Sequence, residues 1–191
     1  MTTQPLRHPI RMAVLAYLVL LAPPLRHILE SSMTAQMLLQ IPLLIGVGLL
    51  LPQALPTRVL GIVAKCNYQG ISGLLLASIV SAFWMLPLAL DASVADPVIA
   101  ALKYLSVPLL IGVPLALSWP HMGFIVRGVF LLELTATFFR LGWLYLVWPG
   151  RLCNNYLLDD QQQLGQYMLW IGGALLLGIM VKLLWGRFDS E

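Results

Sequence analysis

Three methionines, Met33, Met37 and Met85, carry side chains that could bind a soft metal ion. Met33 and Met37 are four residues apart, so they share one face of a helix, and Gln36 and Gln40 form a neighbouring pair with the same spacing. Thioether sulfur selects Cu(I) among the common metal ions. Methionine is also an adaptable filler of apolar cores. The pattern therefore leaves a Cu(I) site and ordinary packing as two open interpretations.

A second group consists of charged or polar residues within long apolar stretches. They are Lys103, Tyr104, Glu133 and Arg140. An ionisable side chain at membrane depth costs at least about 2.5–3.5 kcal/mol, which favours pairing or a function. Glu133 and Arg140 share a helix face but are separated by about 10.5 Å along its axis, so we expect contact only through a neighbour or water. We expect Glu133, or Asp91 and Asp96, to balance Lys103. A structural ion network and a proton, metal or partner-binding role both remain open.

Signatures of catalysis are missing from the sequence. It contains no HExxH, P-loop, GxSxG or strand-linked GxGxxG motif, and its three histidines are expected outside the membrane spans. Cys66 and Cys153 are expected on opposite sides of a bilayer, so they do not pair. The sequence predicts a protein that is not an enzyme.

The composition is that of an integral membrane protein. Of 191 residues, 60% are apolar and 10% are charged, with a mean hydropathy of +0.87. Soluble domains have about 45–50% apolar and about 25% charged residues. The net charge of +3 is small and scattered, which excludes a nucleic-acid partner. The links between apolar stretches are too short for a soluble domain, so residues 1–191 are predicted to form one transmembrane helical-bundle domain.

The spans follow from the length needed to cross a membrane. About 20 apolar residues cross a hydrocarbon core of about 30 Å. Six segments qualify, which predicts an all-α, multi-pass helical bundle. They are Ile10–Leu25, Thr34–Leu51, Gly70–Leu90, Pro97–Trp119, Met122–Val147 and Leu164–Trp185.

The basic residues predict the orientation. Most of them fall on the side of the N-terminus, and this side is expected to be cytoplasmic because of the positive-inside rule. The inner residues are Arg7, Arg11, Arg58, Lys65, Lys182 and Arg187, and the outer ones are Arg26 and Arg151. Both termini are therefore predicted to lie in the cytoplasm.

Several segments, in order along residues 30–175, resemble the CtaG-like family of cytochrome c oxidase assembly factors. They are Ser32–Leu39, Phe83–Pro87 with Asp91-Ala92, Leu102–Ser106, and Asp160–Gly165 before Trp170. The resemblance implies a multi-pass protein of the bacterial inner (plasma) membrane that helps to mature the copper centres of haem-copper oxidases.

This chain differs from the family at the motif histidines. In the segment Ser32–Leu39, Ser32 and Gln36 stand where the family has histidines, and in Phe83–Pro87 Met85 does. In Leu102–Ser106, Lys103-Tyr104 replaces the family's Glu-His. Imidazole binds copper, whereas Lys103 places a cation where a metal site favours an anion.

Two functions follow, and a third is weaker. The first is an assembly or accessory factor for a haem-copper oxidase that handles Cu(I) on the periplasmic side through Met33, Met37 and Met85. The second is a non-catalytic accessory or structural subunit of a respiratory membrane complex that has lost metal binding. The third is a transporter that uses Glu133. It is weaker because the sequence shows neither the internal repeats nor the broken helix pairs that are typical of transporters.

Overall fold

The computed structural model describes residues 7–54, 56, 58, 60–61, 67–153 and 155–185. Within these ranges the regular structure is helical and contains no strand, which confirms the predicted all-α class. The described residues leave out Lys65 and Arg187, two of the basic residues that predict the orientation, and Cys66, which is expected on the side of the bilayer opposite Cys153.

Eight helices of eight or more residues account for most of the described residues. They are α1 (Arg7–Leu21), α2 (Pro23–Glu30), α3 (Met33–Gln53), α4 (Ile71–Trp84), α5 (Pro87–Ala95), α6 (Pro97–His121), α7 (Phe124–Val147) and α8 (Leu158–Trp185). By length and composition, α3, α6 and α8 can each cross a membrane, and counting the bent pairs α1–α2 and α4–α5 as spans gives up to five. The chain is thus compatible with a multi-pass membrane protein.

Prolines break two of the predicted spans. The stretch Gly70–Leu90 is not one helix, because α4 ends at Trp84 and the chain turns by 68° before α5. Pro87 lacks an N–H group and disfavours helical geometry at Leu86, whose backbone is extended. Similarly, α1 ends at Leu21 before the Pro23-Pro24 pair, with the same bend angle. At 14 residues, α4 is about 21 Å long, less than a hydrocarbon core.

The centre of the bundle is a close crossing of α3 and α6 at two glycines. A Cβ atom added to Gly48 would lie 2.2 Å from the carbonyl oxygen of Pro108, and one added to Gly112 would lie 2.6 Å from the Cα of Gly48. The two backbones are therefore in direct contact, which only glycine allows at these positions.

Both crossing helices contain a π-helical turn, at Gln36–Gln40 in α3 and Val107–Gly112 in α6. In α3 the N–H of Ile41 bonds to the carbonyl of Gln36, five residues back, just before Pro42, which has no N–H to donate. Gln36 and Gln40 are both fully buried at this turn. The π turn thus points two amides into the bundle.

Helices α7 and α8 form a hairpin at the side of the bundle. They pack along each other at Gly142 and Gly165, where a Cβ atom added to Gly165 would lie 2.9 Å from the carbonyl oxygen of Gly142. Helix α8 also packs against Met33–Ala35 of α3. Only 11% of the most apolar stretch of α8 is buried, against 39% in α3 and α6. Most of the surface of α8 is therefore exposed in this structure.

Candidate functional site

A carboxylate forms the centre of a polar cluster at the end of the bundle where α3, α6 and α8 begin. Glu30 is the last residue of α2, and its side chain is 10% exposed. One of its oxygens, Oε2, accepts a hydrogen bond from Nε of Arg26, one helical turn earlier, at 3.0 Å. The other oxygen, Oε1, faces α3 and α6. Glu30 therefore connects the surface of α2 to the interior of the bundle.

Lys103 of α6 is the buried partner of this carboxylate. Its Nζ lies 3.0 Å from Oε1 of Glu30 and 2.9 Å from Oε1 of Gln40, and the side chain is 0% exposed. The ammonium group also lies 5.3 Å from the centre of the Tyr104 ring. A buried lysine needs such a set of acceptors because an unpaired buried charge is strongly unfavourable.

Tyr104 and Gln40 close the cluster. The hydroxyl of Tyr104 accepts a hydrogen bond from Nε2 of Gln40 at 2.8 Å and donates one to Oε1 of Glu30 at 3.3 Å. Tyr17 of α1 donates to the backbone carbonyl of Tyr104 at 3.1 Å. We call Arg26, Glu30, Gln40, Lys103 and Tyr104 the Glu30–Lys103 cluster. It joins α2, α3 and α6, and α1 supports it through Tyr17.

A second set of hydrogen bonds extends the cluster towards α5 and α8. The hydroxyl of Tyr156, just before α8, lies 2.8 Å from Oε1 of Gln36 and 3.0 Å from the backbone carbonyl oxygen of Glu30. The other end of the Gln36 amide donates to Ser93 of α5 at 3.2 Å. Burial and the nearby carboxylate of Glu30 raise the pKa of Tyr156, so this phenol is a neutral donor. These bonds fix the connection between α7 and α8 to the rest of the bundle.

Asp91 of α5 and Cys153 of the connection between α7 and α8 extend this contact. Asp91 is buried and accepts a hydrogen bond from the backbone N–H of Asn155 at 2.9 Å. The thiol of Cys153 donates to the carbonyl oxygen of Pro87 at 3.4 Å. Burial, and then the negative charge of Asp91, raise the pKa of the Cys153 thiol to about 11. The thiol is therefore a poor nucleophile and a poor metal ligand at neutral pH.

Two of the candidate methionines approach one hydroxyl group. The Tyr145 hydroxyl of α7 lies 3.6 Å from Sδ of Met37 and 3.4 Å from the backbone carbonyl oxygen of Met85. Met33 and Met37 are buried, and Met85 is partly buried. The structure thus brings Met37 and Met85 to the buried side chain of Tyr145, and it places Met33 in the part of α3 that packs against α8.

Glu133 and Arg140 lie elsewhere, on α7. They form a direct ion pair, so the expectation that they would need a bridging group is wrong. Their Cα atoms are two helical turns apart, but the long side chains extend towards each other at the level of Thr137, which hydrogen-bonds to both. Their side chains are 61% and 64% exposed. This pair is separate from the Glu30–Lys103 cluster.

The counter-ion of Lys103 also differs from the prediction. Neither Glu133 nor Asp91 contacts its ammonium group, and Asp96 instead caps α6 by accepting a hydrogen bond from the N–H of Val98 at 2.7 Å. Sequence reasoning missed Glu30 because it lies in a short polar stretch expected to be a loop. The spacing of Arg26 and Glu30, four residues apart, was the available signal for a charged helix face.

The groups at the family's motif positions do not fit a copper ion. Ser32 caps α3 by accepting from the N–H of Ala35, and Gln36 is hydrogen-bonded at both ends of its amide. Lys103 and Tyr104 are hydrogen-bonded to Glu30 and Gln40. Among the described residues no group of three His, Cys, Asp or Glu side chains could hold a metal ion. Only the thioethers remain as soft donors.

Comparison of the chain with known protein families, with curated proteins and with solved structures finds no match. The site is therefore interpreted from its own chemistry. The Glu30–Lys103 cluster is a hydrogen-bonded ion network that joins three helices, and its groups contact one another. Its chemistry is that of a structural connection.

Proposed function

We propose that this chain is a non-catalytic accessory or assembly factor of the bacterial inner membrane that acts beside a haem-copper oxidase or another respiratory complex, without a metal at the motif positions. The observation that carries the proposal is Lys103, a fully buried cation held by Glu30 and Gln40. The proposed partner rests on the resemblance to the oxidase assembly family. The absence of a metal at the motif positions is proposed because Lys103 and Tyr104 are already engaged in the ion network.

The network supports a scaffold role because its members satisfy one another. Lys103, Tyr104 and Gln40 hydrogen-bond within the cluster, so a ligand would have to displace buried hydrogen bonds. Arg26 is the cluster's more exposed charge, at 37%, and its guanidinium lies 5.6 Å from the centre of the Tyr104 ring. We propose that this end of the bundle faces the periplasm and that it keeps a fixed shape for a partner subunit.

The proposed topology has six spans and both termini in the cytoplasm. Besides the up to five spans counted by length and composition, it needs α7, whose 24 residues measure about 36 Å. Near the start of α7, the guanidinium of Arg127 lies 5.5 Å from the centre of the Trp119 ring and donates to the Trp119 carbonyl at 3.0 Å. An arginine beside a tryptophan is typical of a membrane interface, which supports placing this end of α7 on the cytoplasmic side.

Purification from native membranes tests the proposed partner. We expect the affinity-tagged chain, isolated in a mild detergent, to carry haem-copper oxidase or another respiratory complex, seen as a reduced-minus-oxidised haem spectrum in the eluate. The matched control is another tagged multi-pass protein expressed at the same level. A chain that elutes without haem or respiratory subunits, with respiration unchanged in a strain lacking it, would refute the proposal.

A second candidate function is Cu(I) handling by Met33, Met37 and Met85. Its support is that Met37 and Met85 are neighbours at the Tyr145 hydroxyl, which contacts Sδ of Met37 and the backbone carbonyl oxygen, not the sulfur, of Met85. If this function is right, purified protein titrated with Cu(I) under reducing conditions binds about one equivalent, and Met33→Leu with Met85→Leu abolishes binding. Met180→Leu, on the exposed part of α8, is the control. Elemental analysis that finds only background copper in the wild type excludes this candidate and leaves the scaffold role.

A further inference from the structure

An exposed stripe runs along α7 on the side opposite its contact with α8. Its members recur every three or four residues, and its centre is the Glu133–Arg140 ion pair with Thr137 between. Apolar side chains flank this centre on both sides. The exposed members of the stripe are Val129, Leu132, Glu133, Arg140, Trp143 and Val147, and the half-buried Thr137 lies between the two charged residues. Gly142 and Phe138, by contrast, belong to the face that packs on α8.

The ion pair retains unused hydrogen-bonding groups. Both hydrogen bonds of Arg140 come from Nη2, and both bonds to Glu133 use Oε1. Within the described residues, Nε and Nη1 of Arg140 and Oε2 of Glu133 therefore have no hydrogen-bond partner. In the bilayer proposed for α7, lipid tails offer none either, so such groups are expected to face another protein.

We infer that this α7 stripe is the contact surface between two copies of the chain. Two copies inserted in the same direction are related by a two-fold axis along the membrane normal, which places identical depths opposite each other. The Glu133 and Arg140 side chains meet at the depth of Thr137. At this depth the free carboxylate oxygen and guanidinium N–H groups of one copy therefore lie opposite the same groups of the other copy.

Charge also favours a second copy. The stripe contains one carboxylate and one guanidinium and is neutral overall, so two stripes meet without net repulsion. Each guanidinium can then bond to the carboxylate of both copies. A partner helix with a net charge at this depth would leave one charge uncompensated, which is strongly disfavoured in a membrane. Leu132 and Trp143 supply apolar contact above and below the polar centre.

Cysteine cross-linking in liposomes tests the contact. In a chain whose native cysteines are replaced by serine, Thr137→Cys is compared with Trp170→Cys, which lies on the exposed face of α8. The full-length proteins are reconstituted at low density and oxidised. We expect Thr137→Cys to form the cross-linked dimer at least about 10-fold faster than Trp170→Cys, and this ratio to persist as lipid is added. Equal rates, or a signal that falls in proportion to dilution, would overturn the inference.

A second measurement separates the contact from folding. The dimer is quantified by energy transfer between dyes attached through a cysteine introduced at the exposed Arg151. Arg140→Gln is expected to weaken dimerisation by about 10-fold, since it removes charged hydrogen bonds, whereas Arg140→Lys retains part of the effect. All variants should keep the thermal midpoint of the wild type in detergent. A wild type that stays monomeric at every lipid density refutes the second copy, whatever the outcome for a respiratory partner.

Discussion

The two members of the buried ion pair should not be equivalent in a stability measurement. Glu30→Gln leaves the ammonium of Lys103 buried without a carboxylate, because Gln40 offers only a neutral oxygen. Removing one partner of a buried pair in this way costs about 3–5 kcal/mol. Lys103→Met leaves Glu30 with Arg26 at 3.0 Å and leaves one oxygen of Gln40 without a donor. We expect this second change to cost about 1–3 kcal/mol.

The double variant, Glu30→Gln with Lys103→Met, sharpens this prediction. It removes both charges of the Glu30–Lys103 pair, so it should be more stable than Glu30→Gln alone by about 1–3 kcal/mol. The cost of the double variant should therefore be well below the sum of the two single costs. The assay is unfolding of the purified protein by SDS in mixed micelles, followed through tryptophan fluorescence. Asp159→Asn, an exposed carboxylate at the start of α8, is the control and should change stability by less than about 1 kcal/mol. If Lys103→Met is the more damaging change, or if the two single effects add in the double variant, the buried-charge reasoning is wrong.

Two further predictions concern packing and reactivity. Gly48→Ala should destabilise the protein by about 1–3 kcal/mol or more, because the added Cβ lies 2.2 Å from the Pro108 carbonyl oxygen, whereas Gly46→Ala, with no atom within 4 Å, should be neutral or stabilising in the same SDS titration. A similar loss for both variants would argue against the close crossing. Cys153, in a chain lacking the other cysteine, should react with iodoacetamide at pH 8 about 100-fold more slowly in the folded than in the SDS-unfolded protein, since a pKa of about 11 lowers the thiolate fraction. The folded rate should rise with pH up to that value, and a folded rate equal to the unfolded one would contradict its burial beside Asp91.

Hydropathy predicted the long apolar helices well. The predicted spans Thr34–Leu51 and Pro97–Trp119 differ by only a few residues from α3 and α6. The same averaging did not show the bend at Pro87, because a sum over Gly70–Leu90 depends on composition and not on backbone hydrogen bonds. Proline was nevertheless visible in the sequence and could have divided this span.

Long-range pairing was harder to predict than helices. Lys103 was recognised as a charge that needs a partner, but Glu30 is 73 residues away and its approach depends on the bend between α1 and α2. The Glu133–Arg140 contact was missed for a local reason. The axial rise of the backbone separates the two residues by about 10.5 Å, but their long side chains span this distance.

The position of Glu30 in the chain has a consequence for biosynthesis. Glu30 is made well before Lys103, and Arg26 is already one helical turn away to neutralise it. The carboxylate can therefore enter the folding bundle as part of a local pair rather than as an isolated charge. When α6 follows, its lysine meets a counter-ion that is already in place, because amino-terminal segments emerge first during synthesis. Because Glu30 precedes Lys103 in the chain, Lys103, a fully buried cation, can pair with a carboxylate as soon as it is buried.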